Sequence, residues 1–131
     1  MSERMDKEEF TRQLKTRTRA FAVAVFKLVD QMPKLPSTQV ISFQLGKSAS
    51  SIGANYREAS RAESRADFVH KSGIVEKEAD ETLFWLEVLS DLYPTPHALH
   101  EAIAPLLQES DELVRLFSSI NRSAKSKTIS Q

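Results

Sequence analysis

Four stretches of the chain repeat apolar or small side chains in alternating steps of four and three, the period that gathers residues onto one face of an α-helix. The first line is Leu14, Thr18, Phe21, Val25, Leu28 and Met32, widened by Ala22, Phe26 and Val29. The second is Ile41, Leu45, Ser48, Ile52, Tyr56 and Ala59. A third runs through Phe68, Ser72, Val75, Ala79, Thr82, Leu86, Leu89 and Tyr93, with Ile74, Trp85, Val88 and Leu92 beside it, and a fourth through Leu99, Ile103, Leu106, Leu113, Phe117 and Ile120. Helices are therefore predicted over about 6–32, 37–62, 64–93 and 96–122.

Local punctuation agrees with this division. Asp6-Lys7-Glu8-Glu9 has the spacing of a capping box, and Ser64-Arg65-Ala66-Asp67 has it again before the third stretch. Pro33 and Pro36 end the first helix, because proline offers no N–H and disfavours helical geometry just before it. Ser37 is the expected N-cap of the second helix, and Thr95 that of the fourth, with Pro96 at its first position. Pro105 should kink the fourth helix or split off its first turns. The segment 123–131 is polar and basic, without an apolar period, and reads as a flexible tail. Wide apolar stripes need neighbours on two sides, and short links make successive helices antiparallel. The expected fold is all-α: an up-down antiparallel four-helix bundle, one domain over 1–122.

Composition narrows the options. Cysteine is absent, which removes disulfides, thiolate metal sites and cysteine nucleophiles and fits a cytoplasmic setting. The longest apolar run, Ala20 to Phe26, is far short of the roughly 20 residues of a membrane span. It keeps its heptad phase into Leu28 and Met32, so it reads as core helix, and no membrane partner is expected. Net charge is zero but split: residues 1–65 carry 12 Lys and Arg against 7 Asp and Glu, and the remainder carries 6 against 11. The ordinary reading of such a split is complementary pairing between helices or subunits.

In the second helix, Gln44 to Glu58 places small and hydroxyl residues where bulky aliphatics would normally stand. That face suits close helix approach, with buried hydrogen bonds from Gln44, Ser48, Ser51 and Asn55. Gln44-Leu45-x-Lys47-Ser48-Ala49-x-Ser51-Ile52-x-x-Asn55-x-x-Glu58 resembles the signature of the 23S rRNA intervening-sequence proteins, small bacterial four-helix bundles. The family pattern usually has Arg at the site of Lys47 and Gly at that of Ala59. Lys77 to Leu86, with Glu78, Glu81 and Trp85, is similar to the family's third-helix signature, and Asp111-Glu112-Leu113-Val114 with Phe117 to its fourth. The resemblance covers nearly the whole chain and implies a homo-oligomer, a pentameric ring of bundles, without implying a biochemical activity. Similar bundles accompany diversity-generating retroelements, which by analogy suggests nucleic-acid binding through a basic ring.

Candidate chemistry is sparse. Asp67-x-x-His70 and Glu78-x-x-Glu81 each share a helical face, but bundle di-iron sites take Glu-x-x-His from two helices, and the chain has no Glu-x-x-His. His97-x-x-His100 supplies only two imidazoles, below the ligand count of a metal site, so no metal or cofactor is expected. Ser48, Ser50 and Ser51 lie inside a helix without a paired base or oxyanion loop, and Gly46, Gly53 and Gly73 form no phosphate-cradling loop. No catalytic residue is assigned.

Two basic ridges remain. Arg12, Lys15 and Arg19 recur at three and four along the first helix, and Arg57, Arg61 and Arg65 every four from the second. With Lys47 they form the candidate phosphate-contacting set, and Arg122, Lys125 and Lys127 add reach. No exposed aromatics are expected among them, so the stacking platform of single-strand binders is not predicted. Phe84 and Trp85 point about 100° apart, so either one enters the core and the other faces a subunit interface, or the wide apolar face of the third helix buries both. The expected function is a non-enzymatic, self-associating bundle acting as an RNA-associated adaptor or scaffold. The alternative is an oligomer recruiting a protein through acidic faces of helices three and four.

Overall fold

The computed structural model describes residues 3–130, with side chains from residue 6 to residue 127. Four helices account for it: α1 (Glu3–Gln31), α2 (Pro36–Ser60), α3 (Arg65–Leu92) and α4 (Ala98–Ser130). Each packs against the next and α4 returns to α1, which closes an all-α bundle. The α2/α3 and α3/α4 seams are the most extensive, and α1/α4 is the smallest.

The core follows the four-three lines. Every member of the first two, Leu14 to Met32 and Ile41 to Ala59, is buried, as are Ser72, Val75, Ala79, Thr82, Leu86 and Leu89 of α3. Phe21 and Val25 place the apolar run of α1 inside the bundle. From α4 come Ile103, Leu113 and Phe117, whose ring meets Tyr56 edge to face at 5.6 Å. Each such aliphatic or aromatic side chain contributes about 1.5–3 kcal/mol by leaving water, the main return against the entropy of ordering the chain.

Helix ends differ from expectation where tertiary contacts or turns compete. Met1, Ser2 and Gln131 lie outside the described residues, but α1 already runs from Glu3, so Asp6 is inside a helix rather than capping one. The N-cap of α2 is Leu35, not Ser37. Pro36 takes the first helical position, which suits its fixed φ, and Thr38 Oγ1 accepts the Leu35 N–H at 2.9 Å. Ser64 caps α3 as expected, accepting the Asp67 N–H at 3.0 Å, while Asp67 accepts the Glu63 N–H at 3.2 Å. Thr95 and Pro96 fall in a turn closed by His97 N–H to Pro94 O at 2.9 Å, and α4 starts at Ala98.

Helix α4 also passes through Pro105 unbroken and continues to Ser130, eight residues beyond the predicted end at 122. Asn121 and Ala124 explain the extension. Both are buried, and Asn121 Nδ2 donates to Ser72 O at 3.0 Å and to Glu76 Oε1 at 2.7 Å on α3. The segment from 123 to 130 is thus helical rather than an irregular tail.

Candidate nucleic-acid interface

Helices α1 and α2 approach closely where their side chains are small. A Cβ on Gly53 would stand 3.2 Å from Thr18 Oγ1, and one on Gly46 would stand 3.1 Å from the Phe26 ring. Thr18 fits this crossing because its hydroxyl is turned back onto its own helix, donating to Leu14 O at 2.9 Å. These contacts fix the register: Lys15 and Arg19 come opposite Ala54, Arg57 and Arg61.

Four cations therefore share one open groove of about 410 Å³ over a floor of Thr18, Ala22, Ser50, Gly53 and Ala54, with Glu58 on its rim. A second hollow of similar size continues it toward Arg12 and Ser60. Arg12 pairs along its helix with Glu9, whereas Lys15, Arg19, Arg57 and Arg61 form no ion pair with any described residue. Arg17 provides the contrast. On another face of α1, it donates to Glu109 through Nε and Nη2, both at 2.7 Å, and to Glu112 at 2.9 Å. The Glu109 hydrogen bond is the main reason its guanidinium is held further into the charged form, against the pull of partial burial. The charge split of the sequence is thus satisfied internally at Arg17, not in the groove.

Lys47 and Arg65 stand apart from this set. Lys47 is exposed on α2 near the α3 carboxylates, and Arg65 opens α3 in solvent. Partial burial, then repulsion from Glu81, pushes the Glu78 carboxyl up, while Lys47 and Lys77 pull it back. Ser48 forms the interhelical bond expected of a small-residue face: Thr82 Oγ1 donates to Ser48 Oγ at 2.9 Å, in the buried α2/α3 seam. Ser51 donates instead to Lys47 O at 2.7 Å and Asn55 to Ser51 O at 2.8 Å, both within α2. Gln44 and Trp85 are half-buried, and the Trp85 N–H has no acceptor among the described residues. Phe84 is 54 % exposed and meets Trp85 edge to face at 5.0 Å.

The imidazoles do structural work at the start of α4. His97 Nδ1 accepts the Leu99 N–H at 3.0 Å, and His100 Nδ1 lies 3.1 Å from Tyr93 O. Asp67 is occupied by its capping bond, which with Lys71 at 3.2 Å holds its carboxyl below the usual range. Among the described residues no three His, Asp or Glu side chains converge as a metal cluster would. No described helix is long and apolar enough to cross a membrane.

One feature of the α1/α2 face overturns the sequence expectation. Phe26, placed by its period on the edge of the core stripe, is 47 % exposed, and Phe43 is 66 % exposed. The Phe26 ring lies across Gly46, and Phe43 is three residues before that glycine, one turn away on the same helix. Aromatics do stand beside the basic ridge. Phe43 was legible as an outlier, since it falls out of phase with Ile41 and Leu45; Phe26 was not, because its position follows from where α2 crosses.

Comparison with known proteins is consistent with the bundle. No curated protein sequence matches the chain. A crystal structure of a protein of unknown function from the S23 ribosomal protein family of Bacteroides thetaiotaomicron aligns with a TM-score of 0.71 and 39 % identity, over 82 % of this chain and 96 % of that one. The model of the 23S rRNA-intervening sequence protein family matches residues 11–119, most of α1 through most of α4. With four helices closed around the lines of Thr18, Ser48, Thr82 and Phe117, this chain belongs to the 23S rRNA-intervening sequence protein family.

Proposed function

We propose that the protein is a non-enzymatic adaptor or scaffold of the cytoplasm that self-associates, in the pentameric ring the family resemblance implies, and contacts RNA or another nucleic acid through the α1/α2 face. The observation that carries this reading is the convergence of Lys15, Arg19, Arg57 and Arg61 on one groove without an ion pair to any described residue. Four cations against the single carboxylate of Glu58 leave the groove net positive, and phosphates neutralise that charge while releasing counterions. A floor of small side chains brings the backbone of both helices near any ligand and leaves the cations to project over it.

The test is charge reversal. Arg19→Glu with Arg57→Glu is expected to weaken binding of a fluorescent RNA at least about tenfold at low salt, and to flatten the dependence of log K on log salt by about two contacts. Both residues are exposed, so the bundle should remain folded. Unchanged affinity and slope would defeat the proposal. A protein partner is the second reading, favoured by the α3/α4 groove of about 390 Å³, where Glu87 and Asp111 flank Leu83, Ala104 and Leu107. Acidic rims over an apolar floor suit a basic peptide; loss of a partner on Glu87→Lys with Asp111→Lys would favour that reading.

A further inference from the structure

The α1/α2 face changes character along its length. Its first half is cationic, with Arg19 and Arg57 above Gly53 and Ala54. Its second half carries Phe26 and Phe43, both close to or above half exposed, with Val23 beside Phe26 at 49 %. Arg19 and Phe26 are seven residues apart on α1, two turns of one helix, or about 10 Å. The face therefore offers phosphate-neutralising groups at one end and flat apolar rings at the other.

This pairing discriminates between kinds of nucleic acid. A duplex presents phosphates and sugars outward with its bases stacked inside, so it has use for the cations and none for the rings. A single strand has both: phosphates for the cationic half, and exposed base faces that stack on aromatic rings. Gly46 contributes to the platform, because a Cβ there would already stand 3.1 Å from Phe26 Cε1, and a side chain as large as leucine would displace the ring from its place against α2.

We infer that the ligand class of this face is single-stranded nucleic acid, held by its phosphates at Lys15, Arg19, Arg57 and Arg61 and by bases stacked on Phe26 and Phe43. The inference rests on the nucleic-acid reading above and adds the strand state and two aromatic contacts. Fluorescence anisotropy with the full chain tests it, using a labelled oligouridylate of about 20 nucleotides and an A·U duplex of the same length. The single strand is expected to bind at least about tenfold more tightly. Phe26→Ala with Phe43→Ala should lose at least that factor for the single strand, with the salt slope unchanged and duplex binding unaltered. Gly46→Leu should reproduce part of the loss with both rings intact. Equal binding of both probes, or indifference to the phenylalanine pair, would overturn the single-strand inference while sensitivity to Arg19→Glu and Arg57→Glu left the phosphate reading standing. Binding of neither probe would remove both.

Discussion

At the scale of single residues, the small positions of α2 have separable roles. Ser48 is 1 % exposed and accepts from Thr82, which also has Glu78 O within 2.8 Å, so deleting the Ser48 hydroxyl does not strand its partner. Ser48→Ala is expected to cost about 1 kcal/mol or less in urea unfolding. Ser48→Leu should cost about 1–3 kcal/mol, because it wedges apart a seam closed by small atoms. If the two substitutions cost the same, close approach is not what the site provides. Glu78 makes a pH-dependent prediction. Burial and Glu81 raise its folded-state pKa above the ordinary 4.5, so the native state holds that proton more tightly than the unfolded chain. Stability contributed by protonation is greatest below 4.5 and is lost as pH rises through the raised value. Glu78→Gln should therefore be more stable than the parent at neutral pH, by less than about 1 kcal/mol given solvent screening, and the gain should vanish below the unfolded-state pKa. Thermal melts across that range would show it; a constant difference would remove the Glu78 titration as its cause.

At the scale of helices, the three glycines rank by what stands opposite them. Nothing lies within 4 Å of a Cβ on Gly73, so Gly73→Ala should stabilise by about 0.5–1 kcal/mol through helix propensity alone. Gly46 faces the free edge of the exposed Phe26 ring, which can yield, so Gly46→Ala should gain less. Gly53 faces Thr18, whose hydroxyl is tied to Leu14 O and whose backbone carbon is 3.5 Å away, so Gly53→Ala should gain nothing or lose. Melting temperatures in any other order would contradict the contacts assigned to the α1/α2 crossing. This is also where legibility divides. The buried lines of all four helices could be read from period alone, because a packed face repeats within one element. The end of α4 could not, since Asn121 is held by α3 and Ala124 is buried beyond it, and the Leu35 cap was missed because Pro36 and Thr38 outcompete Ser37. Likewise, Arg12, Lys15 and Arg19 were visible as a ridge, but that Arg57 and Arg61 join them while Lys47 and Arg65 do not depends on register between helices.

At the scale of the whole molecule, the opposite charges of the two halves are joined where Arg17 reaches Glu109 and Glu112. Arg17 is 39 % exposed, so Arg17→Ala should cost only about 0.5–1 kcal/mol at low salt, shrinking as ionic strength rises. A cost that persists in high salt would point to packing of the side-chain stem instead. Self-association is checked by light scattering coupled to size exclusion at low and high salt, where the proposed ring is expected as a salt-resistant pentamer and a monomer would exclude it.

The small extent of the α1/α4 seam bears on how stability is distributed among the helices. Helices α2, α3 and α4 are joined by the two most extensive seams, whereas α1 meets α4 over the smallest one, where Arg17 bonds to Glu109 and Glu112. Amide hydrogen exchange should therefore find α1 opening as a unit at lower free energy than the other three helices. Because α1 supplies half of the α1/α2 face, a ligand there must hold shut the part of the protein most ready to come away, and its signature would be slowed exchange along α1 far beyond the residues it touches.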